Sequence, residues 1–314
     1  MNGRRRPRRH WLAALLAGAV ALAGCTPSGN RGAQAIPSDA VVVASFNFDE
    51  SALLAEIYAQ ALEHSGIPVH RELRLGPREL VQPALRQGLV DIVPEYLGSA
   101  LITFDPGIRP IDLGDRNTVL AALRSALPRW GLTVLDPAGA SDQNVFTVTR
   151  STARRYGLRT LTDLAAVAPA MTLGGPSECP RRPYCLAGLE RVYGIRVRRF
   201  VPLDDASQRA TALEEGVIDV GVTFSTDGRL AAGPTVALVD DKRLQPIEAV
   251  TPLVSRRAVN RHGRRLSTTL DAVSAALDQN SLSFLNWRVS VAGMDPGTEA
   301  RNWLYRHGLL GGAR

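Results

Sequence analysis

The chain has 314 residues, 45% of them hydrophobic, with 37 basic against 30 acidic side chains and a formal charge of +7. Five of the arginines stand among the first nine positions, and the remaining 32 basic residues nearly balance the 30 acidic ones, so the charge excess is local to the N-terminus. No basic stripe interleaved with aromatics is left to argue for nucleic acid, and Arg196, Arg198 and Arg199 read as a solvated strand edge.

In chain order, Arg4, Arg5, Arg6, Arg8 and Arg9 form a positive n-region, and Trp11 to Leu22 is an apolar run too short to span a membrane comfortably. Leu22-Ala23-Gly24-Cys25 then closes the segment with small residues before a cysteine. This pattern resembles the lipobox of bacterial lipoproteins. It implies a signal peptide over 1–24, cleavage before Cys25, and acylation of Cys25 as the anchor, several acyl chains holding firmly where one holds marginally. Residues 25–39 are rich in Gly, Pro and Ser and read as a tether. About 275 residues follow, enough for two lobes, with no second apolar run long enough to cross a bilayer.

Beyond the tether, strand-like runs alternate with helical patterns, the mark of an α/β fold. Ala40 to Ser45 reads as a buried strand. The spacing of Leu53, Leu54, Ile57, Ala61 and Leu62 predicts a helix over 51–65 that stops at Gly66. Val69 to Leu75 alternates as a strand, 79–87 is helical despite Pro83, and Val90 to Val93 is a third strand. Ligand sites are expected at the carboxyl ends of such strands. Further helices are expected over 118–127, 205–215, 266–277, 281–287 and 298–307, and further strands over 145–149, 171–174 and 217–224.

Apart from Cys25 the cysteines are Cys179 and Cys185, which outside the cytoplasm read as a disulfide holding Arg182 and Tyr184 still. A redox pair would have the tighter C-x-x-C spacing, and a zinc site would need ligands that are not nearby. The five histidines are scattered without ligand spacing, so no metal or cofactor is expected. Neither Gly-x-Ser-x-Gly nor His-Glu-x-x-His occurs, which leaves a lipid-anchored hydrolase as a remote alternative and no enzyme as the expectation.

One internal echo stands out. Gln87-Gly88-Leu89-Val90-Asp91-Ile92-Val93-Pro94-Glu95-Tyr96 matches Glu215-Gly216-Val217-Ile218-Asp219-Val220-Gly221-Val222-Thr223-Phe224. In both, a helix ends at Gly, an Asp follows three residues on, and an aromatic stands at the carboxyl end of the next strand. The Asp is expected to satisfy amides of its own turn. Gly98-Ser99 and Ser225-Thr226-Asp227-Gly228 add polar groups beside the two aromatics.

At these residues, and at Ser45-Phe46-Asn47-Phe48, Leu75-Gly76, Arg182 through Gly188-Leu189 to Tyr193-Gly194, and Asp240-Asp241-Lys242, the chain resembles the ProX and OpuC type of substrate-binding protein. These are the quaternary-amine and osmoprotectant receptors of ABC importers. The resemblance implies a type II periplasmic-binding-protein fold, with lobe one over 40–143 plus 229–314 and lobe two over 144–228. It implies a monomer outside the cytoplasmic membrane that binds a small osmolyte such as glycine betaine, choline or carnitine and docks on an ABC permease. A binding protein turned sensor, for a polar ligand that is not quaternary, is the alternative.

Family members hold a trimethylammonium in a box of tyrosines and clamp the ligand carboxylate with an arginine. An aromatic face attracts a cation that has no hydrogen to donate, and a guanidinium grips a carboxylate through parallel bonds. By resemblance Tyr96 falls on the first box position, Ser99 on the hydroxyl after it, Arg182 on the carboxylate arginine and Asp142 on an acidic position. The chain departs from the pattern at the other three positions, where Asn144, Phe224 and Glu248 stand. Phe46 or Tyr184 is a candidate to refill the box, and Glu248 would favour a ligand with N–H or hydroxyl donors.

Overall fold

The computed structural model describes residues 38–107, 113, 115–230 and 233–311. The signal segment, Cys25 and the tether as far as residue 37 lie outside the described residues. The apolar runs become strands of two five-stranded sheets that share one plan.

In the first lobe, β1 (Val41–Phe46), α1 (Asp49–His64), β2 (Val69–Gly76), α2 (Arg78–Arg86) and β3 (Ile92–Tyr96) form the expected β-α-β-α-β run, followed by α3 (Leu97–Phe104), α4 (Arg116–Ala126) and β4 (Leu132–Val134). The second lobe has β5 (Asn144–Thr149), α5 (Arg150–Tyr156), α6 (Leu161–Val167), β6 (Thr172–Gly175), α7 (Leu186–Tyr193), β7 (Arg199–Pro202), α8 (Ala206–Glu214), β8 (Val220–Phe224) and β9 (Thr235–Ala237). The chain then returns through β10 (Val250–Ser255), α9 (Arg256–Ala276), α10 (Gln279–Asn286) and α11 (Pro296–Arg306). The sheet orders are β2-β1-β3-β10-β4 and β7-β6-β8-β5-β9. In each, the fourth strand runs antiparallel to the third, β10 against β3 and β5 against β8.

Helix α1 is buried from Glu50 to Leu62, wedged between the first sheet and helices α9 and α11. That explains why its residues are apolar on more than one face. Tyr58, Leu53, Leu54 and Ile57 of α1 join Trp303 of α11 and Leu270 of α9 in one core.

The echoed turns have matching geometry. Gly88 and Gly216 adopt φ of 73° and 74°, the left-handed conformation that side chains other than glycine resist. The aspartates act differently from expectation: each reaches the neighbouring strand. Asp91 accepts from the Val42 amide of β1 at 3.2 Å, and Asp219 accepts from the Thr172 amide of β6 at 2.8 Å. Each Asp amide donates back to the carbonyl of the same partner residue. A carboxylate at this point therefore fixes the register of two parallel strands.

Three departures from the sequence expectation bear on how the lobes are built. β9 pairs with β5 through Thr147↔Ala237, Val148↔Val236 and Thr149↔Thr235, so the second sheet continues past the boundary expected at 228. The chain touches lobe one at Thr226 and then turns back for this three-residue strand, which is too short to read. β10 went unread because Pro252 argues against an interior strand. It stands opposite Pro94 in the register, so two residues without N–H groups face each other. α9 starts ten residues earlier than the expected 266, because its first half is polar and a non-helical Gly263 separates it from the second.

The two connections between the lobes run side by side. Ser141 and Ala249 form an antiparallel bridge, and the Asp142 amide donates to the Glu248 carbonyl at 3.0 Å. Asp142 and Glu248 thus sit on the paired crossovers. No described helix is long and apolar enough to cross a membrane.

Candidate ligand-binding cleft

A cavity of about 480 Å³ opens at the carboxyl ends of β1, β3 and β8, within the size range of small-molecule sites. All eight residues singled out in the sequence, Phe46, Tyr96, Ser99, Asp142, Asn144, Arg182, Phe224 and Glu248, line it, as does Tyr184. Asn144 and Phe224 are directly opposed in the β5·β8 ladder.

The aromatic wall centres on a residue the sequence reading did not single out. Phe48 stacks on Phe46 at 5.9 Å, on Phe224 at 5.7 Å and on Tyr96 at 6.4 Å between ring centroids. Phe46 is 1% exposed and carries the Arg78 guanidinium 5.0 Å from its centroid; its contacts are largely with the protein itself. Half-buried Phe48 is the ring that joins the two lobes' aromatics. The signal was present in Phe46-Asn47-Phe48: in extended backbone, residues two apart share a side.

Ser99 and Glu248 form a unit. The Glu248 carboxylate accepts from the Ser99 amide at 3.0 Å and the Ser99 hydroxyl at 2.6 Å, capping the first turn of α3 from a distant part of the chain. The approach depends on Gly98, where an added Cβ would lie 2.9 Å from the Ile247 carbonyl oxygen. Burial pushes the Glu248 carboxyl up to about 7, opposed by the two Ser99 bonds and the nearby Arg78.

Tyr96 is tied from below. Its hydroxyl donates to Glu50 of α1, which also accepts from the Thr226 hydroxyl at 2.7 Å and from the Asn286 amide. Asp142 accepts from the Thr226 amide at 3.1 Å and the Ser225 hydroxyl at 3.2 Å. Burial raises both carboxyls, and for Asp142 the Glu50 charge adds to it. Two buried carboxyls so placed disfavour each other's charge, and the Glu50 charge pushes Asp142 further toward its protonated form. This cluster fastens α1, β3 and α10 of lobe one to the first crossover and to the end of β8.

Arg182 lies on the loop closed by the Cys179–Cys185 disulfide, with Tyr184 two residues on. Its Nη2 donates to both oxygens of Glu79 at 3.1 Å and pairs with Glu178 at 3.0 Å. Glu79 belongs to α2 of lobe one, so this ion pair spans the cleft. Partial burial would raise the Glu79 carboxyl, but Arg182, a backbone hydrogen bond and Arg78 together hold it below its ordinary value. The arginine expected to be open for a ligand carboxylate is engaged by the protein's own carboxylates. Among the described residues no group of three or more His, Cys, Asp or Glu is arranged to hold a metal ion.

Comparison with known proteins agrees with this geometry. Residues 39–306 match the family described as the substrate binding domain of ABC-type glycine betaine transport systems. The glycine betaine-binding protein YehZ of Escherichia coli (strain K12) is 28% identical over 272 residues, covering 82% of this chain and 88% of that protein. The carnitine transport binding protein OpuCC of Listeria monocytogenes is 25% identical over 302 residues, covering 95% and 96%. A crystal structure of a glycine betaine/carnitine/choline ABC transporter superposes with a TM-score of 0.68 at 25% identity, covering 86% of this chain and 99% of the other. The two lobes are those of the type II periplasmic-binding-protein fold. The chain belongs to the family of substrate-binding domains of ABC-type glycine betaine transport systems.

Proposed function

We propose that this chain is a receptor held by acylated Cys25 at the outer face of the cytoplasmic membrane, where as a monomer it captures a small osmoprotectant and delivers it to an ABC permease. The ligand class is that of glycine betaine, carnitine and choline. One observation carries the reading: Phe48 joins Phe46, Tyr96 and Phe224 into a stacked wall in the same cavity as Arg182. A quaternary ammonium has no hydrogen to donate and is held by aromatic faces, each contributing about 0.5 to 2 kcal/mol. The names of YehZ and OpuCC point to the same ligands. No bond is made or broken; closure of the lobes over the ligand is the switch the permease reads.

Asp142 and Glu248 in the same cavity favour ligands that also donate a hydrogen bond. Choline and carnitine carry a hydroxyl, whereas glycine betaine has none. A thermal-shift series on the unlipidated chain with glycine betaine, carnitine, choline, amino acids and sugars tests the reading. The melting temperature rises with the logarithm of ligand concentration for at least one quaternary amine. A rise with sugars or unmethylated amino acids alone would overturn it.

A further inference from the structure

The first half of α9 carries Arg256, Arg257, Arg261, Arg264 and Arg265, all exposed, with half-buried His262 among them and no acidic residue before Asp271. The five arginines run across one end of lobe one. Arg257 reaches the Gly88 carbonyl at 2.9 Å and Asp91 at 2.8 Å, beside the start of β3. Arg261 donates to the Ser38 carbonyl at 3.0 Å, and His262 lies 3.0 Å from the Asp39 carbonyl, just before β1. Arg265 lies over Gly66, in the turn that leads to β2. The helix breaks at Gly263, which sets Arg264 and Arg265 at a different angle from the turn before them.

Two observations identify what this surface meets. The first is charge: Asp91 is engaged by Arg257, while Arg256, Arg261, Arg264 and Arg265 have no acidic partner among the described residues. The second is position, because Arg261 and His262 grip the backbone at Ser38 and Asp39, where the chain from Cys25 enters the body. Only residues 26–37 stand between that point and the anchor cysteine, a reach of about 40 Å at full extension. The surface that holds Cys25 therefore lies within reach of these arginines.

We propose that the basic end of lobe one, formed by Arg256, Arg261, Arg264 and Arg265, docks on the anionic lipid headgroups of the membrane that anchors Cys25. Its orientation rests on the tethered-receptor reading above, while the lipid contact can be measured without it. β1 runs from Val41 at this end to Phe46 in the cleft, so a docked body turns its cleft to the medium and captures solute. Delivery to the permease then requires release from the lipid and reorientation on the tether. Each arginine near an anionic surface adds attraction that salt screens over about 8 to 10 Å.

Residues from Pro37 on form one compact unit, so the chain from residue 26 can be studied without signal or lipid. Its co-sedimentation with phosphatidylcholine vesicles, with and without phosphatidylglycerol, reads the proposal. Binding is expected to the anionic vesicles only and to fall as salt rises. The triple variant Arg256→Gln, Arg264→Gln, Arg265→Gln is expected to lose on the order of a hundredfold in vesicle affinity. Its ligand binding stays unchanged, since none of the three lines the cleft and Arg257, which holds Asp91, is kept. Equal binding to neutral vesicles, no binding to anionic ones, an unaffected triple variant, or equal affinity for a DNA duplex at the same salt would overturn it. A chain that binds vesicles and no osmolyte would refute the receptor reading and leave this one standing.

Discussion

At the scale of single residues, Glu248 is the side chain whose chemistry is most open to measurement. Its folded carboxyl titrates near 7 against an ordinary 4.5, so between those values the native state holds a proton that the unfolded chain has lost. The stability it contributes is complete below about pH 4.5 and disappears as pH rises through 7, on the order of 3 kcal/mol in all. Glu50 and Asp142, also raised, act in the same direction. In denaturant titrations from pH 4.5 to 8, Glu248→Gln should flatten part of the decline seen in the parent chain; an identical slope would show that Glu248 is not held protonated. The same variant should narrow any preference for choline or carnitine over glycine betaine.

Phe48 and Arg182 take their surroundings from parts of the chain distant in sequence. Family resemblance supplied the positions of Tyr96, Ser99, Asp142 and Arg182, and every one lines the cavity. It did not supply Phe48, which stands two residues after Phe46 in the loop before α1; that spacing was in the sequence, but its stacking on Phe224 of the other lobe shows only in three dimensions. Nor could it show that Arg182 faces Glu79, a partner 103 residues away in sequence.

At the scale of elements, the glycine stops of the paired Gly-x-x-Asp turns were legible because each is a local left-handed turn, whereas the role of each Asp was not, because its carboxylate bonds to the neighbouring strand. β10 and β9 were not legible, one carrying a proline that only Pro94 opposite explains, the other lasting three residues. The disulfide loop is a local device too, readable from compartment and spacing. By the chain-entropy account a loop this short contributes about 2 kcal/mol. Replacing Cys179 and Cys185 together by Ala should lower the melting temperature and also weaken ligand binding, since the loop carries Arg182 and Tyr184. A lower melting temperature with unchanged affinity would show that the loop holds its shape without the bond.

At the scale of the whole molecule, two sheets with one strand order meet at crossovers that carry Asp142 and Glu248, and Arg182 and Glu79 join the lobes across the opening. That ion pair is partly exposed, with side-chain accessibilities of 31% and 58%, so it contributes no more than about 1 kcal/mol to closure. In the proposed receptor its larger effect would be competition, since a ligand carboxylate placed on Arg182 would share it with Glu79. Glu79→Gln should therefore tighten glycine betaine, which has a carboxylate, by several-fold, and leave choline, which has none, unchanged. Equal effects on both ligands would place the role of Glu79 in lobe closure instead.

In the proposed receptor the stacked wall around Phe48 receives the quaternary ammonium. Calorimetric titration of the unlipidated chain and of Phe48→Ala with glycine betaine, carnitine and choline tests it most directly. Saturable binding of one ligand per chain is expected for at least one of the three, weakened in Phe48→Ala by about tenfold. Binding of equal strength in both chains, or no binding of any of the three, would contradict it.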